Sequence, residues 1–285
     1  MLIIVGAVIV TAGVVVGFTM AGGHLAVLLQ ISEFITIGGA ALGSMIIMSP
    51  ISLLKKIIGS IPKAISHKGE TKEDYLNLLK SFYDLFLVSQ RDGLLAIEKH
   101  IETPEESDVL KNNQKFLHNK YALTFFTDTL KVMLSGGVPP HEIESLMDTE
   151  IETFEMESKP VPHIITKVAD ALPGLGIVAA VLGIIVTMGS INEGAEAVGH
   201  HVAAALVGTF LGVLLSYGFF NPLATNIEHM VEAEVRYLET IKAAVVAYAK
   251  GNPPVVAVEI ARRTIFSDER PTFGELESHL RGKKD

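Results

Sequence analysis

At 285 residues, with 49% hydrophobic content and a mean hydropathy of +0.41, the chain is too apolar for an ordinary soluble domain. Its formal net charge of −9 speaks against a nucleic-acid partner, which would want a basic face, and the lack of Cys excludes disulfides and thiol chemistry. All 23 Lys and Arg fall within residues 55–167 and 236–284, so residues 1–54 and 168–235, which hold the long apolar runs, have none. A cation at the centre of a membrane helix costs about 2.5–3.5 kcal/mol, and cations gather on the cytoplasmic side. The pattern therefore predicts two membrane hairpins and a large cytoplasmic body.

In chain order, a first span is expected at about 2–20, ended by Ala21-Gly22-Gly23. It lacks a basic segment before it and a small-residue cleavage site after a short apolar core, so it reads as a retained helix rather than a signal peptide. A second span is expected at about 34–54, with Pro50 near its cytoplasmic end and Lys55-Lys56 just beyond, closing a hairpin of residues 1–54. Residues 55–168 then read as a helical cytoplasmic domain. Apolar residues recur at helical spacing over 71–100, from Tyr75, Leu79, Phe82 and Phe86 to Leu94 and Ile97, with Thr71 as N-cap and Asp74 as its first-turn partner. Further helices are expected over 113–135, stopped by Gly136-Gly137-Val138-Pro139-Pro140, and over 141–159. A second hairpin, 169–222, holds spans at about 171–188 and 202–220. The C-terminal extension, 223–285, continues as a helix to about Lys250, is ended by Gly251-Asn252-Pro253-Pro254, and adds an apolar element at 255–267 before a polar, mobile end.

The fold class expected is thus all-α: a polytopic membrane protein with four transmembrane helices in a 2+2 arrangement and a helical cytoplasmic domain. The connections at 21–33 and 189–201 carry no Lys or Arg, whereas Lys55, Lys56, Lys63 and Lys68 follow span two and Lys159 and Lys167 precede span three. The positive-inside rule then places both termini in the cytoplasm.

No soluble-enzyme signature is present, whether G-x-x-x-x-G-K-[ST], H-E-x-x-H or G-x-S-x-G in a strand–turn–helix setting, so the chain is not read as an enzyme. His200-His201 reads as an interfacial polar cap rather than a metal site. Three spans carry small-residue patterns, Gly13-x-x-x-Gly17, Gly39-x-x-x-Gly43 and Gly208-x-x-x-Gly212, which suit either packing within the hairpins or packing in an oligomeric ring. Spans one, three and four hold no interior ionisable residue other than Tyr217. Glu33 and Asp170 sit at span boundaries and read as interfacial rather than as relays. If the chain conducts protons, a partner must supply the titrating group. Pro173 in the first turn of span three and Pro222 just past span four fit ordinary helix ends, or a hinge. Arg91 and Glu98, seven positions apart and so about two helical turns, share a helix face with Asp92, Lys99 and Glu102, which alone would be a solvated surface.

Three segments carry a resemblance. The runs Arg91-Asp92-Gly93-Leu94-Leu95-Ala96-Ile97-Glu98, Ala169-Asp170-Ala171-Leu172-Pro173-Gly174-Leu175-Gly176-Ile177-Val178-Ala179-Ala180-Val181-Leu182-Gly183 and Ala204-Ala205-Leu206-Val207-Gly208-Thr209-Phe210-Leu211-Gly212, together with the 2+2 spans, closely resemble the MotA family of bacterial flagellar stator subunits. The resemblance implies an inner-membrane homo-oligomeric ring around MotB chains. A MotB aspartate would carry the proton, and the ring would exert torque on the rotor protein FliG. It implies that Arg91 and Glu98 contact the rotor, that Pro173 and Pro222 couple proton passage to movement, and that Ala180, Thr209, Tyr217 and Asp170 line or flank the ion path. No cofactor is implied; the coupling ion is H⁺. Sodium-driven relatives have threonine where this chain has Ala180. A desolvated Na⁺ wants several oxygen ligands, and Thr209 offers one hydroxyl. The related ExbB and TolQ energisers of outer-membrane systems are the alternative, but they have three spans, with the first separate. A permease and a structural scaffold are weaker readings still.

Overall fold

The computed structural model describes residues 2–66, 69–189, 192 and 194–282; all its regular structure among these is helical. The α-helices are α1 (Leu2–Met20), α2 (Ile31–Met48), α3 (Ile51–Ser66), α4 (Lys72–Asp92), α5 (Glu98–Glu102), α6 (Gln114–His118), α7 (Lys120–Ser135), α8 (Pro140–Ser158), α9 (Pro160–Gly189), α10 (Ala195–Leu214), α11 (Asn221–Ala249), α12 (Pro254–Arg262) and α13 (Phe273–Leu280). Four stretches, Leu2–Met20, Leu25–Met48, Pro140–Gly189 and Ala195–Ala249, are long and apolar enough to cross a membrane by length and composition. The chain packs as two compact units, residues 1–67 with 158–230 and residues 68–157 with 231–285.

In the first unit α1 buries none of its side chains, and Leu2, Val8, Ile9 and Met20 are exposed. In lipid such exposure carries no penalty, because acyl chains are as apolar as the side chains themselves. The second apolar stretch is two helices rather than one continuous rod over 34–54. Pro50 confines its predecessor to extended backbone, so Ser49 takes φ −130°, ψ 132° and α2 stops at Met48. The Pro50 carbonyl then accepts from the Leu53 and Leu54 amides and α3 begins. α3 is amphipathic: Ile57 and Ala64 are buried, while Lys55, Lys56 and Lys63 lie on its other faces.

The second unit closes on aromatic rings. Phe82, Phe86, Phe116, Phe125 and Phe126 are fully buried. Phe82 stacks on Phe126 at 4.4 Å between centroids and meets Phe116 edge-on at 5.7 Å, and Phe86 stacks on Tyr248 at 4.3 Å. Offset and edge-to-face pairs add about 0.5–1.5 kcal/mol each beyond area burial. α4 starts with a full capping box: the Thr71 amide donates to Asp74 Oδ2 at 2.7 Å and the Asp74 amide to Thr71 Oγ1 at 3.3 Å. α11 ends where Gly251, at φ +86°, lets the Asn252 amide reach the Ala247 carbonyl at 3.2 Å.

The chain end departs from the expected mobile tail. α13 has its own capping box between Thr272 and Glu275 and buries Leu276 and Leu280, while His279 Nε2 lies 3.1 Å from Asn77 Oδ1 of α4. Two apolar residues at i, i+4 suffice to dock a short capped helix even in a polar stretch.

Candidate functional site

The membrane-crossing part of the first unit is organised by the close approach of α9 and α10. A Cβ added at Gly176 would lie 2.7 Å from the Gly208 carbonyl oxygen and 3.1 Å from Gly212 Cα; one at Gly183 would lie 2.8 Å from Ala205 Cβ. These positions need glycine because backbone meets backbone. Gly208-x-x-x-Gly212 is thus used for packing inside the chain. Gly13, Gly17, Gly39 and Gly43 instead face open space within this chain.

The two prolines shape the same helices differently. Pro173 lies inside α9, where it removes the N–H that would bond the Ala169 carbonyl, and the carbonyl of its neighbour Leu172 faces Gly212. Pro222, exposed near the start of α11, follows a π-helical stretch, Leu215–Phe220, in which the Asn221 amide reaches back five residues to the Ser216 carbonyl. A π step is one of the local adjustments that re-satisfy backbone groups next to a proline in membrane helices. Ser216 is fully buried in this stretch and Tyr217 is exposed.

Of the residues expected to line an ion path, Ala180 and Thr209 both lie at this crossing: the Ala180 amide nitrogen would be 3.3 Å from a Cβ on Gly208, and Thr209 Cα 3.3 Å from one on Gly176. Asp170 is exposed, ten residues before Ala180 and so about 15 Å along α9. Tyr217 is eight residues past Thr209, about 12 Å along its helix. The crossing also holds a residue that sequence reasoning placed at a boundary. Glu33 is 6% exposed, its Oε2 has no hydrogen-bond partner among the described residues, and a Cβ on Gly208 would collide with that oxygen. The signal was present in the spacing: Glu33, Ile37 and Ala41 are the buried residues of α2, and i, i+4, i+8 is one helix face. An apolar cleft of about 600 Å³ nearby is lined by Gly13, Gly17, Phe18, Leu28, Leu206, Phe210 and similar side chains, and it offers no titratable group to a polar substrate.

In the second unit, Arg91 and Glu98 are not on one helix. Gly93 takes φ +89°, which ends α4 at Asp92; the 3₁₀ turn Leu94–Ile97 and then α5 follow. The seven-residue spacing implies two turns of continuous helix, and Gly93 at positive φ interrupts it. Both residues are exposed. Arg91 is held by its neighbour: Nε donates to Asp92 Oδ1 at 3.0 Å and Nη2 to Asp92 Oδ2 at 2.7 Å. That hydrogen bond holds the Asp92 carboxyl below its ordinary range. Glu98 makes no ion pair among the described residues, and Leu95 stands 72% exposed between the two charges. Among the described residues no cluster of three His, Asp or Glu side chains is placed to hold a metal ion.

Comparison with known proteins covers the whole chain. Residues 4–93 match the family model described as Motility protein A N-terminal, and residues 114–240 match the MotA/TolQ/ExbB proton channel family. Motility protein A of Salmonella typhimurium and that of Escherichia coli K12 are each 38% identical over 285 residues, covering 100% of this chain and 97% of the relative. Chemotaxis protein LafT of Vibrio parahaemolyticus is 36% identical over 264 residues, 93% of each chain. Among solved structures, MotAB of C. jejuni superposes with a TM-score of 0.79 at 19% identity over 95% of this chain and 98% of that one. The flagellar MotAB stator complex of Bacillus subtilis gives 0.71 at 23% identity, over 90% and 92%. At those identities the two structures speak for the fold.

Proposed function

We propose a function that proceeds from family membership: the chain belongs to the MotA/TolQ/ExbB proton channel family. It is a stator subunit of the bacterial flagellar motor, a multi-pass inner-membrane protein that forms a proton-conducting complex with a MotB-type partner. The observation that carries the mechanism is the α9–α10 crossing. Its packing faces are built from Gly and Ala with Thr209 at the edge, so neither helix brings an acid of its own to it, and the principal proton carrier is an aspartate on the partner's span.

In this reading several copies ring the partner helices, both termini are cytoplasmic, and the connections at 21–33 and 189–201 lie outside. One proton crossing 100 mV releases about 2.3 kcal/mol. Neutralising the partner's charge beside Ala180 and Thr209 changes what the crossing packs against in a low-dielectric setting. Pro173 and the π step before Pro222 mark where α9 and the α10–α11 segment bend in response, with Tyr217 and Asp170 flanking the path. Arg91 and Glu98 pull on complementary charges of FliG. The Ala180 side chain itself carries no oxygen to join the Thr209 hydroxyl, which favours H⁺ over Na⁺.

The rotor contact is tested by charge reversal. Arg91→Glu should impair swimming, and a compensating reversal on FliG should restore part of it. Full motility of an Arg91→Ala, Glu98→Ala double variant would remove this surface from the account.

A further inference from the structure

The crossing of α9 and α10 contains one group that the stator mechanism above does not use. Glu33, in the first turn of α2, turns its carboxyl into the unit rather than towards lipid or water and is 6% exposed. Its Oε2 reaches the space left by the missing side chain of Gly208, whose other neighbours are Ala179 Cβ and the Ala180 amide nitrogen. That oxygen has no hydrogen-bond partner among the described residues. Measured from residue 202, where the apolar run of α10 begins, Gly208 lies about 9 Å into it.

No counter-charge is at hand among the described residues. Among the described residues of α9 and α10, His201 is seven positions from Gly208, or about 10 Å along the helix, with His200 and Glu196 farther off. On α9, Asp170 is nine positions from Ala179, or about 14 Å, with Lys167 and His163 beyond it. His24 stands nine residues earlier in the connection that precedes α2. An ionised carboxylate without a cation or donors is among the most expensive groups to bury, whereas the protonated acid is a neutral group that costs far less. Intramembrane acids are therefore functional sites by default.

We propose that Glu33 is a proton-binding site belonging to this chain itself, additional to the acid supplied by the partner, and that Gly208 is the positioning residue that admits its carboxyl to the crossing. The ligand is a proton rather than a metal ion, because Glu33 Oε2 is the one oxygen among the three atoms nearest that recess, the others being the Ala179 methyl carbon and the Ala180 amide nitrogen, and a metal ion wants several oxygen ligands. Proton occupancy of Glu33 and the packing of α9 on α10 are linked, since a charge placed there would drive the side chain out of the Gly208 recess.

The test is carbodiimide labelling of the full-length protein in lipid nanodiscs with its single-span partner, read by peptide mass spectrometry. Dicyclohexylcarbodiimide adds to protonated carboxyls in apolar surroundings. Glu33 should label about tenfold faster than Glu196, which is exposed at the start of α10, the ratio a modest desolvation of a carboxylate produces. Glu33→Gln should lose that labelled peptide, and sodium ions should give no protection. Gly208→Ala keeps the carboxyl but fills its recess, so labelling of Glu33 should fall towards the rate at Glu196. Equal rates at Glu33 and Glu196 in the unaltered protein, unchanged labelling in Gly208→Ala, or protection by sodium would each overturn the assignment. The readout needs neither a rotor nor rotation, so failure of the stator reading leaves this result separate.

Discussion

The two units of this chain hold their helices together by opposite means. The second unit buries large rings, with Phe82, Phe86, Phe116, Phe125 and Phe126 fully enclosed, and it derives its cohesion from removing them from water. The first unit brings helices together where side chains are missing, at Gly176, Gly183, Gly208 and Gly212, and leaves long apolar residues of α1, α2 and α9 outward. In water that exposure would be untenable; in lipid apolar surface gains little by meeting apolar surface, and close backbone approach does the packing instead. Each unit is therefore fragile in its own way. One is damaged by removing carbon, the other by adding it.

Losing a ring from the aromatic core should cost most. Phe82→Ala removes the ring that contacts both Phe116 and Phe126, and should lower stability by about 3–5 kcal/mol, seen as an earlier thermal transition by circular dichroism. Adding a methyl group at Gly212, where a Cβ would lie 2.5 Å from the Leu172 carbonyl oxygen, should cost about 1–3 kcal/mol by overpacking. Gly39→Ala, with open space around it in this chain, should stay within about 0.5 kcal/mol. Equal losses at Gly212 and Gly39 would erase the contrast between a used and an open glycine.

The smallest effect concerns pH in the second unit. His100 is buried, and its Nδ1 lies 2.8 Å from Ser107 Oγ, which accepts from the Leu110 and Val109 amides and so donates its own hydrogen to the ring. Burial, then the nearby charge of Lys99, lowers its pKa below the ordinary 6.5, so the fold favours the neutral ring. The unfolded chain then binds more protons. This contribution is fully present above about pH 6.5 and is lost as pH falls from there through the lowered folded value. The thermal midpoint should drop on acidification below that point, and His100→Asn should flatten the drop; an unchanged slope in the variant would assign it to other groups.

Much of the architecture was legible in the placement of 23 cations. The all-α fold with four apolar helices follows from it, since membrane insertion depends on composition averaged over a span. Single backbone events were less legible. Pro50 divides the second apolar stretch at Ser49, and Gly93 separates Arg91 from Glu98 by a turn. Both act through the conformation of one residue, which a periodicity averaged over several turns does not register. Glu33 does lie in the first turn of α2, but its burial is hidden from a reading by position, because distance from a span end says nothing about which way a side chain faces. Its register with Ile37 and Ala41 did say so. The helix at 273–280 was hidden by its polar composition, although Thr272 and Glu275 spell a capping box.

In the proposed mechanism this chain turns proton flow into rotation with an acid supplied by its partner. Tethered-cell rotation, driven by this stator alone, is the decisive measurement. Rotation should persist in sodium-free medium and stop on addition of a protonophore. Strict dependence on external sodium would overturn that mechanism.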